Sequence, residues 1–214
     1  MMPVNELFSE QDRDAIYAFF ETRERWHDIV RWRTLEHGPV DTIFYGDSIF
    51  EIWPTAEAFP ELSHLNRGIG GDNINGLYFR LDEDIFPNSP RRVVINIGIN
   101  GIEREFNDSV NRLKYVAGLM RERGIEVWLN SIAPLRSPDA WNRFQYQDKI
   151  VELNRVNREI FEREFAGFID LHSVLRDSTG QLAAEYARPD GTHWTFEAYR
   201  VASKVVRRAL MPEC

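Results

Sequence analysis

Short apolar, β-branched runs alternate with longer stretches in which apolar residues recur every three or four positions, and this alternation constrains the fold more than any other feature. A brief apolar run closed by a turn signal reads as a strand buried on both faces. Five segments have that form: DTIFYGDS at 41–48, LSHLN at 62–66, RRVVINIG at 91–98, IEVWLN at 125–130 and GFIDL at 167–171. Between them lie amphipathic stretches with helical spacing. The first is one long helix from Ser9 to about His37, with Ser9 and Asp12 as its N-cap arrangement and Ile16, Phe19, Phe20, Trp26, Ile29 and Val30 inward. INGLYFRLD follows a glycine-rich loop, and residues 107–123 place Val110, Leu113, Ala117 and Met120 on one face before the stop at Gly124. Helices over 143–165 and from Thr195 to Leu210 complete the series. Such alternation predicts an α/β domain with a mainly parallel sheet covered by helices on both faces.

At 214 residues and 43% hydrophobic composition, the chain is sized for one core, so residues 1–214 are expected to form a single domain with the helix over 1–37 packed on it. A net charge of −8 disfavours nucleic acid and anionic membranes, which require a positive field. Cys214 is the only cysteine, which rules out an intrachain disulfide or a cysteine metal cluster. The opening residues lack the pattern of a secretory signal, and no stretch approaches the roughly 18 apolar residues of a membrane span. A cytoplasmic protein without membrane insertion is therefore expected.

In an open α/β sheet, ligands settle beyond the carboxyl ends of the strands, so polar residues following apolar strands are the first candidates. Gly46 permits a sharp turn that would leave Ser48 at a helix start, with its hydroxyl exposed and a local field favouring negative charge. In RGIGGD, Gly71 can bring a main-chain N–H close to a reacting carbonyl. Asn100, just beyond the most apolar strand, can offer a side-chain amide to the same oxygen. In RPDGTHWT, the three-residue spacing of Asp190 and His193 lets the carboxylate turn back onto the imidazole, whose other nitrogen can take the Ser48 proton.

These blocks, in this order between Tyr45 and Trp194, resemble the SGNH hydrolases, the GDSL family of esterases and lipases. NRGIGGD is most similar to the branch containing the platelet-activating-factor acetylhydrolase catalytic subunits. The resemblance implies a three-layer α/β/α sandwich with a flavodoxin-like five-stranded sheet. It also implies a nucleophile at Ser48, an Asp190–His193 pair behind it, and an oxyanion hole from the N–H groups of Ser48 and Gly71 with the Asn100 amide. No metal and no cofactor are implied, the partner is a small-molecule ester, and a homodimer is left open. Two departures stand out: Gly101 and Glu103 follow Asn100 where the family commonly has an aspartate, and Trp194 stands where a proline often follows the histidine.

Each block also has a bland reading. Ser48 could be an N-cap, the glycine loop a plain turn or weak phosphate cradle, and Asp190-Gly191 a turn signal. Asp170 with His172 is a second acid–base or metal candidate. Asp47, Trp141 and Trp194 are candidate substrate-binding residues, and the loop SIAPLRSPDAW is a candidate wall of the site. The acidic runs at Glu57, Glu61 and Asp82 to Asp84 read as solvated helix faces. The function expected from the whole is removal of a short acyl group, acetyl first, from a carbohydrate or small alcohol through an acyl-enzyme. A lysophospholipase or thioesterase, or a non-catalytic binding domain of the same fold, are the alternatives.

Overall fold

A computed structural model describes residues 7–33, 40–137 and 143–211. Five parallel strands, β1 (Thr42–Gly46), β2 (His64–Gly68), β3 (Arg92–Asn96), β4 (Glu126–Asn130) and β5 (Gly167–Ile169), form one sheet in the order β2-β1-β3-β4-β5. All five coincide with the apolar runs of the sequence. The order reverses between β1 and β3, so their carboxyl ends flank the crevice where an open sheet of this kind binds ligands.

Alternate residues of the central strands enter opposite layers, as the two-residue period of a strand requires. Ile43, Tyr45, Val93 and Ile95 pack with Leu113, Val116, Ala117 and Met120 of a helix at Phe106–Arg121. Phe44 and Val94 turn the other way, onto Phe50, Phe59, Trp194 and the helix Phe196–Leu210. Every residue of β1 and β3 is buried, which explains why their sequences are continuously apolar instead of alternating. The remaining long helix, Gln147–Glu164, inserts Ile150, Leu153 and Phe161. Together these elements make the expected three layers.

The N-terminal region departs from the expectation of one long helix. It forms α1 (Glu10–Phe20) and α2 (Glu24–Arg33), broken at 21–23. The capping box of Ser9 and Asp12 opens α1 as anticipated. At the break, the Thr22 hydroxyl takes the Phe19 carbonyl at 2.7 Å, ending the α1 ladder, and the reversal stacks Phe20 on Trp26 with ring centroids 4.8 Å apart. Periodicity continued through the break because both helices bury the same kind of stripe. Arg25 of α2 then covers the free edge of β2, donating to the carbonyls of Asn66 and Gly68. Among the described residues, no helix is long and apolar enough to cross a membrane.

Candidate active site

Gly46 closes β1 where no other residue fits: a Cβ there would lie 2.0 Å from the Asn96 carbonyl oxygen of β3. That close approach lets the Asp47 N–H donate to the same carbonyl, and Asp47 then caps the short helix α3 (Ser48–Ile52), its Oδ1 accepting from the Ile49 N–H at 3.0 Å. Ser48 is thus the first residue of α3, partly exposed between two fully anchored neighbours.

The C-terminal loop reaches the same place from the far end of the chain. The Arg188 N–H bonds to the His193 carbonyl, and the Arg136 N–H holds the Gly191 carbonyl at 2.8 Å, so the loop is pinned on both sides. Asp190 Oδ1 accepts from the N–H groups of Thr192 and His193, at 2.9 and 2.8 Å, and Oδ2 lies 2.7 Å from His193 Nδ1. His193 Nε2 lies 2.8 Å from Ser48 Oγ. A proton on Nδ1, donated to Asp190, leaves Nε2 able to accept from the serine hydroxyl. Burial pushes the Asp190 carboxyl up, but the hydrogen bonds from the His193 N–H, the His193 ring and the Thr192 N–H outweigh it and hold the group below the usual range.

Gly71 adopts a φ of +84°, with the ring of Phe19 of α1 so close that a Cβ would meet it at 2.4 Å. Asn100 Nδ2 donates to the Asp72 main-chain carbonyl at 2.9 Å, which supplies the orientation left open by the missing aspartate after Asn100. Asp72 is itself fixed from within. Its Oδ1 takes the Asn73 N–H, and its Oδ2 receives Arg80 Nη2 at 2.5 Å; Arg80 Nη1 reaches Asp84 at the same distance. All three side chains are sealed from solvent, and Arg80 lies over the Tyr45 ring at 4.6 Å. Burial pushes the Asp72 carboxyl up more than Arg80 and the Asn73 N–H pull it back, leaving it at about 6. The expectation that Asp82 to Asp84 form a solvated face therefore fails at Asp84, which also receives Arg33 at 2.8 Å. The signal in the sequence was the four-residue step from Arg80 to Asp84, which places opposite charges on one helical face.

Other candidates fall elsewhere. Trp194 is 1% exposed and packs edge-on against Trp53, and Asp47 is fully buried; both line one small hollow, as does the described part of the loop after Asn130 through Ile132, Ala133 and Leu135. Trp141 lies outside the described residues. Asp170 pairs with Arg158 and accepts from Ser173, while the His172 N–H donates to Ser131, so that pair is built into its own corner. Among the described residues no group of three histidine, cysteine or acidic side chains could hold a metal ion.

A hydroxyl, an imidazole and a carboxylate in series are the equipment of acyl transfer. The GDSL-like Lipase/Acylhydrolase family matches residues 44–201, and the chain belongs to this family, whose class is that of the ester hydrolases. It is similar to the human platelet-activating factor acetylhydrolase IB subunit alpha1, 27% identical over 162 residues, 69% of this chain and 67% of that protein. It is also 27% identical over 168 residues to the N-acylneuraminate cytidylyltransferase of Escherichia coli O18:K1:H7, covering 75% of this chain and spanning only 38% of that protein's length. A GDSL-like lipase from Bacteroides thetaiotaomicron has the same fold, with a TM-score of 0.75 at 24% identity over 85% of this chain and 96% of the other.

Proposed function

We propose that this chain hydrolyses esters of short acyl groups, acetyl first, carried on a carbohydrate or another small alcohol. Asp190 holds the His193 tautomer, His193 takes the Ser48 proton, and Ser48 Oγ attacks the carbonyl carbon. The oxyanion is met by the N–H groups of Ser48 and Gly71 and by the Asn100 amide, a set in which loss of one donor costs about 10²- to 10³-fold in rate. His193 then protonates the departing alcohol and activates water, which releases the acid and restores the serine.

The observation that carries this reading is the continuous chain of hydrogen bonds from Ser48 Oγ through both nitrogens of His193 to Asp190. The preference for a short acyl group is favoured by the acetylhydrolase relative, and the N-acylneuraminate enzyme favours a sugar as the alcohol.

Nitrophenyl acetate, butyrate and octanoate test the reading directly. kcat/KM should fall steeply as the chain lengthens, and Ser48→Ala should abolish acetate hydrolysis while circular dichroism stays unchanged. Equal activity on octanoate would favour a long-chain acyl hydrolase instead, and retained activity in Ser48→Ala would dismiss the nucleophile.

A further inference from the structure

Residues 69–73, between β2 and the helix at Ile74–Phe79, belong to no strand or helix, and their main-chain donors can be followed one by one. The Ile69 N–H donates to the Gly46 carbonyl at 3.0 Å, the Asp72 N–H to the Ile69 carbonyl at 3.0 Å, and the Asn73 N–H to Asp72 Oδ1 at 2.8 Å. The Gly70 N–H donates to Glu51 Oε2. Among the described residues the Gly71 N–H, alone in this stretch, has no acceptor. Glu51 is the fourth residue of α3, one turn beyond Ser48, so the two side chains are neighbours on the helix. Ser48 Oγ meets His193, and the Glu51 carboxylate meets the glycine loop. A second tie joins the same elements: Asn66 Nδ2 donates to the Phe50 carbonyl of α3 at 2.6 Å, while its Oδ1 accepts from the Gly68 N–H at 2.9 Å. Arg23 and Arg25 line the same hollow as Glu51, yet the carboxylate forms no ion pair among the described residues and takes a main-chain donor instead.

Resting on the reading of Gly71 as an oxyanion donor in the previous section, we propose that Glu51 is a positioning residue for acyl transfer, orienting the Gly71 N–H by holding the N–H of Gly70. The peptide plane that carries the Gly71 N–H runs from Gly70 Cα to Gly71 Cα, so its tilt is set by what anchors the chain on either side. Asp72 is anchored by the Ile69 carbonyl, and Gly70 by Glu51. Neither glycine has a side chain to limit its own rotation, which leaves the acceptor from α3 to do it. An ionised acceptor suits the task, because a hydrogen bond to a carboxylate is roughly twice as strong as one between neutral groups. Since Glu51 and Ser48 belong to one short helix, nucleophile and donor are held to a common frame. An oxyanion donor works by being aimed before the charge develops, and this tie does the aiming. Glu51 touches neither the substrate nor the reacting atoms.

The test compares Glu51→Ala and Glu51→Gln with the wild-type protein on nitrophenyl acetate. Misplacing a catalytic group by about 1 Å costs up to about 10²-fold, so Glu51→Ala should lower kcat by about 10- to 10²-fold with KM and the urea midpoint nearly unchanged. Glu51→Gln keeps an oxygen that accepts the same N–H and should recover most of kcat. The Gly70 amide proton resonance reads the tie without turnover: it should move upfield in both variants, further in Glu51→Ala. Unchanged kcat in Glu51→Ala, a loss carried by KM or by the urea midpoint alone, or a glutamine variant as impaired as the alanine one would overturn the inference. If Glu51→Ala does not fold, Glu51→Gln decides, and an unmoved Gly70 resonance there is equally fatal. In each of these cases acetate hydrolysis by the wild-type protein leaves the esterase reading intact. If the wild-type protein turns over no ester and Ser48 resists acylation, the esterase reading falls, and this inference with it.

Discussion

Asp190 and Asp72 both sit 2.7 Å or less from a nitrogen base on a loop beyond the sheet, yet the two regions use the same carboxylate for opposite ends. Asp190 is 24% exposed, engaged by two main-chain N–H groups and paired with an imidazole that can gain and lose a proton. Asp72 is wholly enclosed and paired with Arg80, whose charge is fixed because Asp72 and Asp84 support it against the penalty of burial. The first region can carry a proton through a reaction cycle. The second cannot, and instead fixes the glycine loop and, through the Asp72 carbonyl, the side chain of Asn100. A carboxylate therefore acts in rate or in stability according to whether its partner can change charge.

The sharpest way to break this contrast is a pair of isosteric changes. Asp190→Asn should lower kcat by about 10³- to 10⁴-fold, because an amide no longer enforces the Nδ1–H tautomer, and should leave KM and the urea midpoint nearly unchanged. Comparable loss of stability in that variant would erase the distinction. Asp72→Asn should do the reverse, lowering the urea midpoint by leaving Arg80 short of one buried counter-charge, an effect reduced by the lifted burial penalty on the carboxylate and by the Asp84 partner that remains. Since Asn100 is held by main chain at that position, the folded protein should keep most of its kcat. Urea titration and ester kinetics on the same preparations read both arms.

Asp47 sharpens the comparison from between the two. It lies beside Ser48 and accepts one main-chain N–H, and burial pushes its carboxyl up to about 7, with the Asp72 charge adding to the rise and the Ile49 N–H, the Asn96 side chain and the Arg143 charge tempering it. A carboxyl raised in this way favours the protonated folded state. Its contribution to stability is complete below the ordinary range near 4 and is lost as pH rises through about 7. Between pH 5 and pH 8 the wild-type protein should lose on the order of 2 kcal/mol relative to Asp47→Asn, measured by urea titration at each pH. Parallel stability curves for the two proteins would show that Asp47 is already ionised at pH 5.

Much of this was legible beforehand, for specific reasons. The strands could be read because β1 and β3 are buried on both faces and so carry unbroken apolar runs. The candidate site could be read because each of its residues sits at a strand end or in a short loop, where residue type is dictated by chemistry and turn geometry more than by packing. The Arg80 cluster was hidden because charge on a helix ordinarily means solvent, and only the placement of α1 and α2 over that face seals it. Phe19 carries no catalytic signature, and its place against Gly71 comes from the tertiary packing of α1, which periodicity alone does not give.

The most direct trial of the account is covalent labelling with a fluorophosphonate, followed by intact-mass measurement and peptide mapping. A single adduct on the peptide containing Ser48, lost in His193→Ala, is what the arrangement of Ser48, His193 and Asp190 predicts. Ester hydrolysis by the purified protein with no adduct, or with the adduct on another serine, would contradict it.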